Sequence, residues 1–83
     1  MPKYYLVVSS VTTAQRLQRL CQKNGISISM IHTPQHLSDR GCSYSLIASG
    51  SDYQKIISLA DANNLQIRDC FEQKEDGSFY RKF

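Results

Sequence analysis

Three cysteines, two histidines and a cluster of hydroxyls are the side chains here whose types and spacing could do chemistry. Cys21, Cys42 and Cys70 are widely spaced and odd in number, so they form neither a CxxC metal pair nor a disulfide framework. That usage suits a reducing compartment. Cys42 has a setting the others lack. It closes the stretch Thr33-Pro34-Gln35-His36-Leu37-Ser38-Asp39-Arg40-Gly41-Cys42 and opens an alternating run, Ser43-Tyr44-Ser45-Leu46-Ile47-Ala48. Gly41 gives the backbone freedom to swing into that run. A cysteine at a strand start is most often a small buried hydrophobe, and of the three Cys42 is the candidate for the other role, a reactive thiol. Cys21 lies on an apolar helix face and reads as core, whereas Cys70 could be core or exposed.

His32 and His36 are four residues apart, but Pro34 lies between them and no carboxylate or second cysteine completes a ligand set. No metal and no cofactor is therefore expected. His36 has a milder role open to it: protonated, it helps to hold the Cys42 sulfur as an anion. Neither a Ser/His/Asp arrangement nor a glycine-rich phosphate loop is visible. These residues suggest no turnover enzyme.

The elements that must position these residues follow from periodicity. Tyr4 to Ser9 is a continuous apolar and β-branched run, which predicts a buried central strand. Ser9, Ser10, Thr12 and Thr13 supply hydroxyls for a helix N-terminus, with Thr12 and Gln15 spaced as a capping box. Ala14, Leu17, Leu20 and Cys21 give that helix one apolar face, while Arg16, Arg19, Gln22 and Lys23 face water. Gly25 is its left-handed stop. Ile26 to Ile31 alternates as a strand, and Thr33-Pro34 ends it in an N-cap arrangement suited to a single helical turn over 34–38. Cys42 to Ala48 is a third strand. Asp52 caps a second helix built on Tyr53, Ile56, Ile57 and Ala60. Leu65 to Phe71 reads as a fourth strand, and Asp76-Gly77 is a hairpin signal.

The order β-α-β-β-α-β predicts an α+β fold, the ferredoxin-like sandwich, with an antiparallel sheet and both helices on one face. Residues 1–72 are expected to form that single domain, and residues 73–83 a C-terminal hairpin extension or a flexible tail. With strand order 4-1-3-2, Cys42 is expected beside Ser9, Ser10 and the start of the first helix. Unpaired N–H groups and the helix dipole favour an anion there, which would lower the thiol pKa.

The totals set the class. The 83 residues allow one modest core, and 41% hydrophobic with 20% charged residues describes a globular chain. No apolar run nears the roughly 20 residues of a membrane span, so no membrane partner is expected. The N-terminus lacks a small-residue cleavage site, which makes the cytoplasm the expected location. A net charge of +3 permits a nucleic-acid partner without arguing for one.

Tyr4-Tyr5-Leu6-Val7-Val8, the Ser/Thr-rich helix entry, Thr33-Pro34, Leu37-Ser38 and Gly41-Cys42 together resemble the small selenium/sulfur carrier-like proteins. The resemblance spans residues 4 to 71. It differs at two positions: Gln35 stands where the family loop typically has arginine, and Ser43 where it has glycine. The resemblance implies a carrier that holds sulfur or selenium on Cys42 as a persulfide-type adduct, supported by Gly41, Ser9, Ser10, Thr12 and His36. Its implied partners are a sulfur or selenium donor and an acceptor protein.

Two other function classes fit the element order. RNA-recognition domains stack bases on aromatics of strands one and three, for which Tyr5 and Tyr44 are the candidates. The match is weak, because Cys42 stands where a stacking aromatic belongs. A regulatory or assembly module could use the uncovered sheet face, including for association with a second copy of the chain.

Overall fold

The structure, a computed structural model, describes residues 3–33 and 43–82. The strands are β1 (Lys3–Val8), β2 (Ser29–His32), β3 (Tyr44–Ser49), β4 (Asp69–Gln73) and β5 (Phe79–Arg81). The helices are α1 (Val11–Lys23), which follows β1, and α2 (Tyr53–Ala62), which follows β3. All strand pairs are antiparallel, in the order β2-β3-β1-β4-β5. This is an α+β ferredoxin-like sandwich with a fifth strand added beside β4.

Period-two alternation sorts the strand residues onto two faces. Tyr4, Leu6 and Val8 of β1, Leu46 and Ala48 of β3, and Cys70 of β4 meet Ala14, Leu17 and Cys21 of α1 and Ile56 and Ala60 of α2. Leu6, Leu17, Leu46 and Ile56 are fully buried, each contributing roughly 1.5–3 kcal/mol of transfer free energy. On the other face Val7 and Phe71 form a smaller cluster with half-buried Tyr5 and Phe79.

Both helices end in the same way. Gly25, at φ +73°, and Asn64, at φ +58°, take the left-handed conformation. The next residue in each case turns its N–H back onto the helix: Ile26 to the Cys21 carbonyl and Leu65 to the Ala60 carbonyl, both at 2.8 Å. These are paired Schellman motifs. The side-chain amides of Asn24 and Asn63 add bonds of 2.7 and 2.8 Å to the Leu20 and Leu59 carbonyls.

Strand starts differ from the sequence reading: β1 begins one residue earlier, at Lys3, β3 begins at Tyr44 rather than Cys42, and β2 and β4 begin later. β2 begins at Ser29 rather than Ile26, because the Ile26 N–H is already used in the helix stop. β4 begins at Asp69 rather than Leu65. Pairing starts with Asp69 opposite Val7, and β1 ends one residue later, so Leu65 and Ile67 have no strand to pair with. They pack half-buried against the core instead. The β4–β5 connection turns at Gly77, φ +89°, with the Asp76 carboxylate accepting the Ser78 N–H at 3.0 Å.

Candidate functional site

One end of the sheet gathers what the sequence singled out. There β1 and β2 finish and β3 starts: Val8 and His32 both stand opposite Tyr44. β4 begins at the same end, with the Arg68 N–H donating to the Val7 carbonyl at 2.8 Å. α1 starts three residues after Val8. The residues on either side of 34–42, Thr33 and Ser43, lie at this end and are tied together. The Thr33 N–H donates to the Ser43 carbonyl at 3.0 Å, and the Thr33 and Ser45 hydroxyls are 2.8 Å apart. Ser45 is fully buried and Ser43 nearly so.

Ser9, Ser10 and Thr12 all lie at this end, and all are exposed. Ser10, not Thr12, is the N-cap of α1. Its extended backbone (φ −139°, ψ 150°) precedes the helix, and its hydroxyl oxygen accepts the Thr13 N–H at 3.2 Å. The Ser10 carbonyl accepts the first helical bond, from Ala14, which places Thr12 inside the first turn and leaves no capping box with Gln15. That turn contains no acidic residue, so the positive end of the α1 dipole is not offset within the helix. Gly41, Cys42 and His36 lie outside the described residues, as does the helical turn read over 34–38. Thr33, read as the cap of that turn, has its hydroxyl on Ser45.

The two described cysteines have no such exposure. Cys21 and Cys70 are both fully buried. Burial pushes each thiol from 9.0 up to about 11, since the thiolate loses its hydration; Asp52 adds a small rise at Cys21 and Lys82 a small offset at Cys70. Cys70 stands opposite Leu6, one residue into β4.

The aromatic pair read as a base-stacking platform is split. Tyr5 lies opposite Ile47 on the face with Phe71 and Phe79, where its ring meets Phe79 edge-on at 5.1 Å. Tyr44 lies opposite Val8 and packs against the helix-side core, tilted over the His32 ring at 4.7 Å. His32 therefore belongs to a strand and a ring contact. Among the described residues no group of three or more His, Cys, Asp or Glu could hold a metal ion.

Two features of this end escape a reading of the sequence. One is the Thr33–Ser45 tie, signalled only by serines alternating onto the face away from the helices. The other is Asp69, which pairs with Arg68 at 3.4 Å and with Arg81 from β5. Arg81 also lies 4.9 Å over the Phe71 ring.

A family model described as "Putative Se/S carrier protein-like" matches residues 3–72. The chain belongs to this family. The match runs from the start of β1 to within one residue of the end of β4, so it includes the whole end of the sheet just described. No curated protein and no solved structure matches the chain. In this family member no helix among the described residues is long and apolar enough to cross a membrane.

Proposed function

We propose that the protein carries a single sulfur or selenium atom on Cys42 and passes it to a partner protein. The observation that carries this reading is the sealing of the other two thiols. Cys21 and Cys70, buried and with pKa values near 11, are almost wholly protonated at neutral pH and shielded from a donor. Family membership supplies the chemistry. The uncompensated N-terminus of α1, capped by Ser10, and the exposed hydroxyls of Ser9 and Thr12 favour an anion near the flank that Cys42 adjoins, Ser43 being its neighbour in the chain. Gly41 and His36 complete the proposed set.

In the loading step the Cys42 thiolate attacks the outer sulfur of a donor perthiol, R–S–SH. A new S–S bond forms to Cys42, the donor S–S bond breaks, and R–S⁻ leaves with the electron pair. Cys42 then holds –S–SH, with no net oxidation. Delivery is the same exchange in reverse, with an acceptor thiolate as the nucleophile. Selenium travels in the place of the outer sulfur.

The test is loading with inorganic polysulfide, read by intact mass. One added sulfur is expected on the parent, on Cys21→Ala and on Cys70→Ala, and none on Cys42→Ser. Undiminished loading of Cys42→Ser overturns the proposal. Alkylation rates against pH give the companion measurement: Cys42 should titrate below the free-thiol value of about 8.5.

A further inference from the structure

The outer face of α1 carries a charge that no carboxylate among the described residues pairs with. Arg16, Arg19 and Lys23 recur at i, i+3 and i+7, all exposed, on a helix with no acidic residue anywhere in its thirteen. They span roughly 10 Å of helix axis at 1.5 Å per residue. Arg19 and Lys23 are an i,i+4 like-charge pair, and Arg16 and Arg19 an i,i+3 pair, both arrangements that weaken a helix.

Elsewhere four cations are matched, while Lys3 and Lys55 stand in no ion pair among the described residues. Arg68 and Arg81 pair with Asp69, and Lys74 and Lys82 with Glu72. The three α1 cations form no ion pair among the described residues. They rim a groove of about 250 Å³ whose remaining wall is Leu20, Asn63 and Leu65, the last two from the exit of α2. No carboxylate lines it. Leu20 and Leu65 are half-buried and form an apolar floor.

We infer that this groove docks an acidic segment of a partner protein, one with carboxylates flanking a leucine-like side chain. Carboxylates answer the rim, which the fold leaves unbalanced at a cost in helix stability. The apolar side chain answers the floor. A single-stranded nucleic acid fits less well. Such sites combine cations with aromatic stacking platforms, and none of the six lining residues is aromatic. The inference stands apart from the chemistry of Cys42 and holds whichever chalcogen, if any, that residue carries.

The probe is a short synthetic peptide alternating glutamate with leucine, titrated into the full-length labelled protein and followed by amide chemical shifts. Shifts confined to Arg16, Arg19, Leu20, Lys23, Asn63 and Leu65, fading as salt shortens the screening length, are expected. Arg16→Glu with Arg19→Glu should weaken binding about tenfold or more, the reversal of two exposed charges. The same variant should unfold no earlier than the parent, because an acid four residues before Lys23 supports the helix. The inference is overturned if the peptide shifts map elsewhere or are absent. It is overturned equally if a lysine–leucine peptide binds as well, or if a single-stranded RNA occupies the groove more tightly than the acidic peptide does.

Discussion

The hydroxyls of Thr33 and Ser45 lie 2.8 Å apart across the base of the 34–42 segment, and the two residues differ in exposure. Ser45 is fully buried, whereas Thr33 is half-buried. Together with the Thr33 N–H to Ser43 carbonyl bond, this contact ties the exit of β2 to the entry of β3. The asymmetry predicts unequal mutational costs. Thr33→Val strands a buried hydroxyl and should cost about 1–3 kcal/mol, while Ser45→Ala leaves a hydroxyl that water can reach and should cost about 0.5–1.5. Urea unfolding of the two singles and the double checks this: the double should cost clearly less than their sum. Additive costs would mean that the contact is not made.

The buried thiols predict an alkaline instability. Both are protonated in the folded state up to about pH 11, yet ionise near 9 once exposed. The folded state therefore holds more protons between those values, so stability is intact below pH 9 and falls as pH rises toward 11. Two pH units correspond to at most about 2.7 kcal/mol per thiol. Replacing both with alanine should lower stability at neutral pH but flatten its decline between pH 9 and 11. An unchanged decline would show that these thiols do not cause it.

The matched helix stops predict opposite outcomes for two small changes. A Cβ on Gly25 would meet nothing within 4 Å, so the cost of Gly25→Ala is backbone strain alone, about 1 kcal/mol at positive φ. Asn64 holds the same conformation with a side chain, so Asn64→Gly relieves strain and should be neutral or slightly stabilising. Thermal unfolding of the two variants decides it, and a stabilised Gly25→Ala would contradict the left-handed geometry.

Much of this fold is legible in the chain because local chemistry and tertiary demand agree. Val7 and Val8 sit in an unbroken apolar run and become buried central-strand residues with contacts on both faces. Gly25 and the Asp76-Gly77 pair mark positive φ where nothing else would be tolerated as well. The reading went astray where partner length decided the outcome. Leu65 and Ile67 alternate like strand residues, but β1 ends at Val8 and offers them no pairing partner. The end of α2 at Asn63-Asn64 was legible where its apolar pattern gives way to two asparagines, but Thr12 lost the cap to Ser10, an equally good cap residue two positions earlier. The position of Ser9, Ser10 and Thr12 at one end of the sheet was legible, because topology brings the ends of β1 and β2 to the start of α1. The burial of Cys70 was not, since alternation alone cannot say which face of β4 the helices cover.

Glu72 predicts behaviour at the acid end. It is nearly buried on the helix-side face of β4, opposite Tyr4 and Tyr80, and two lysines converge on it. The Lys74 ammonium hydrogen-bonds it at 3.1 Å and Lys82 lies at 3.6 Å, holding its carboxyl below the ordinary value of 4.5, with Lys74 the larger cause. The unfolded chain therefore binds this proton more readily than the folded one. Stability from the pair is present above pH 4.5 and is lost as pH falls through the lowered folded value. Glu72→Gln keeps the shape but removes the charge, so it should be less stable than the parent at pH 7 while losing less on acidification. Lys74→Met should reproduce most of the effect and Lys82→Met less. The check is the urea midpoint of each variant from pH 7 to pH 3. Parallel curves for parent and Glu72→Gln would assign the acid sensitivity to another carboxylate, with Asp76, whose carboxyl the Ser78 hydroxyl and N–H hold below its ordinary value, the next to replace.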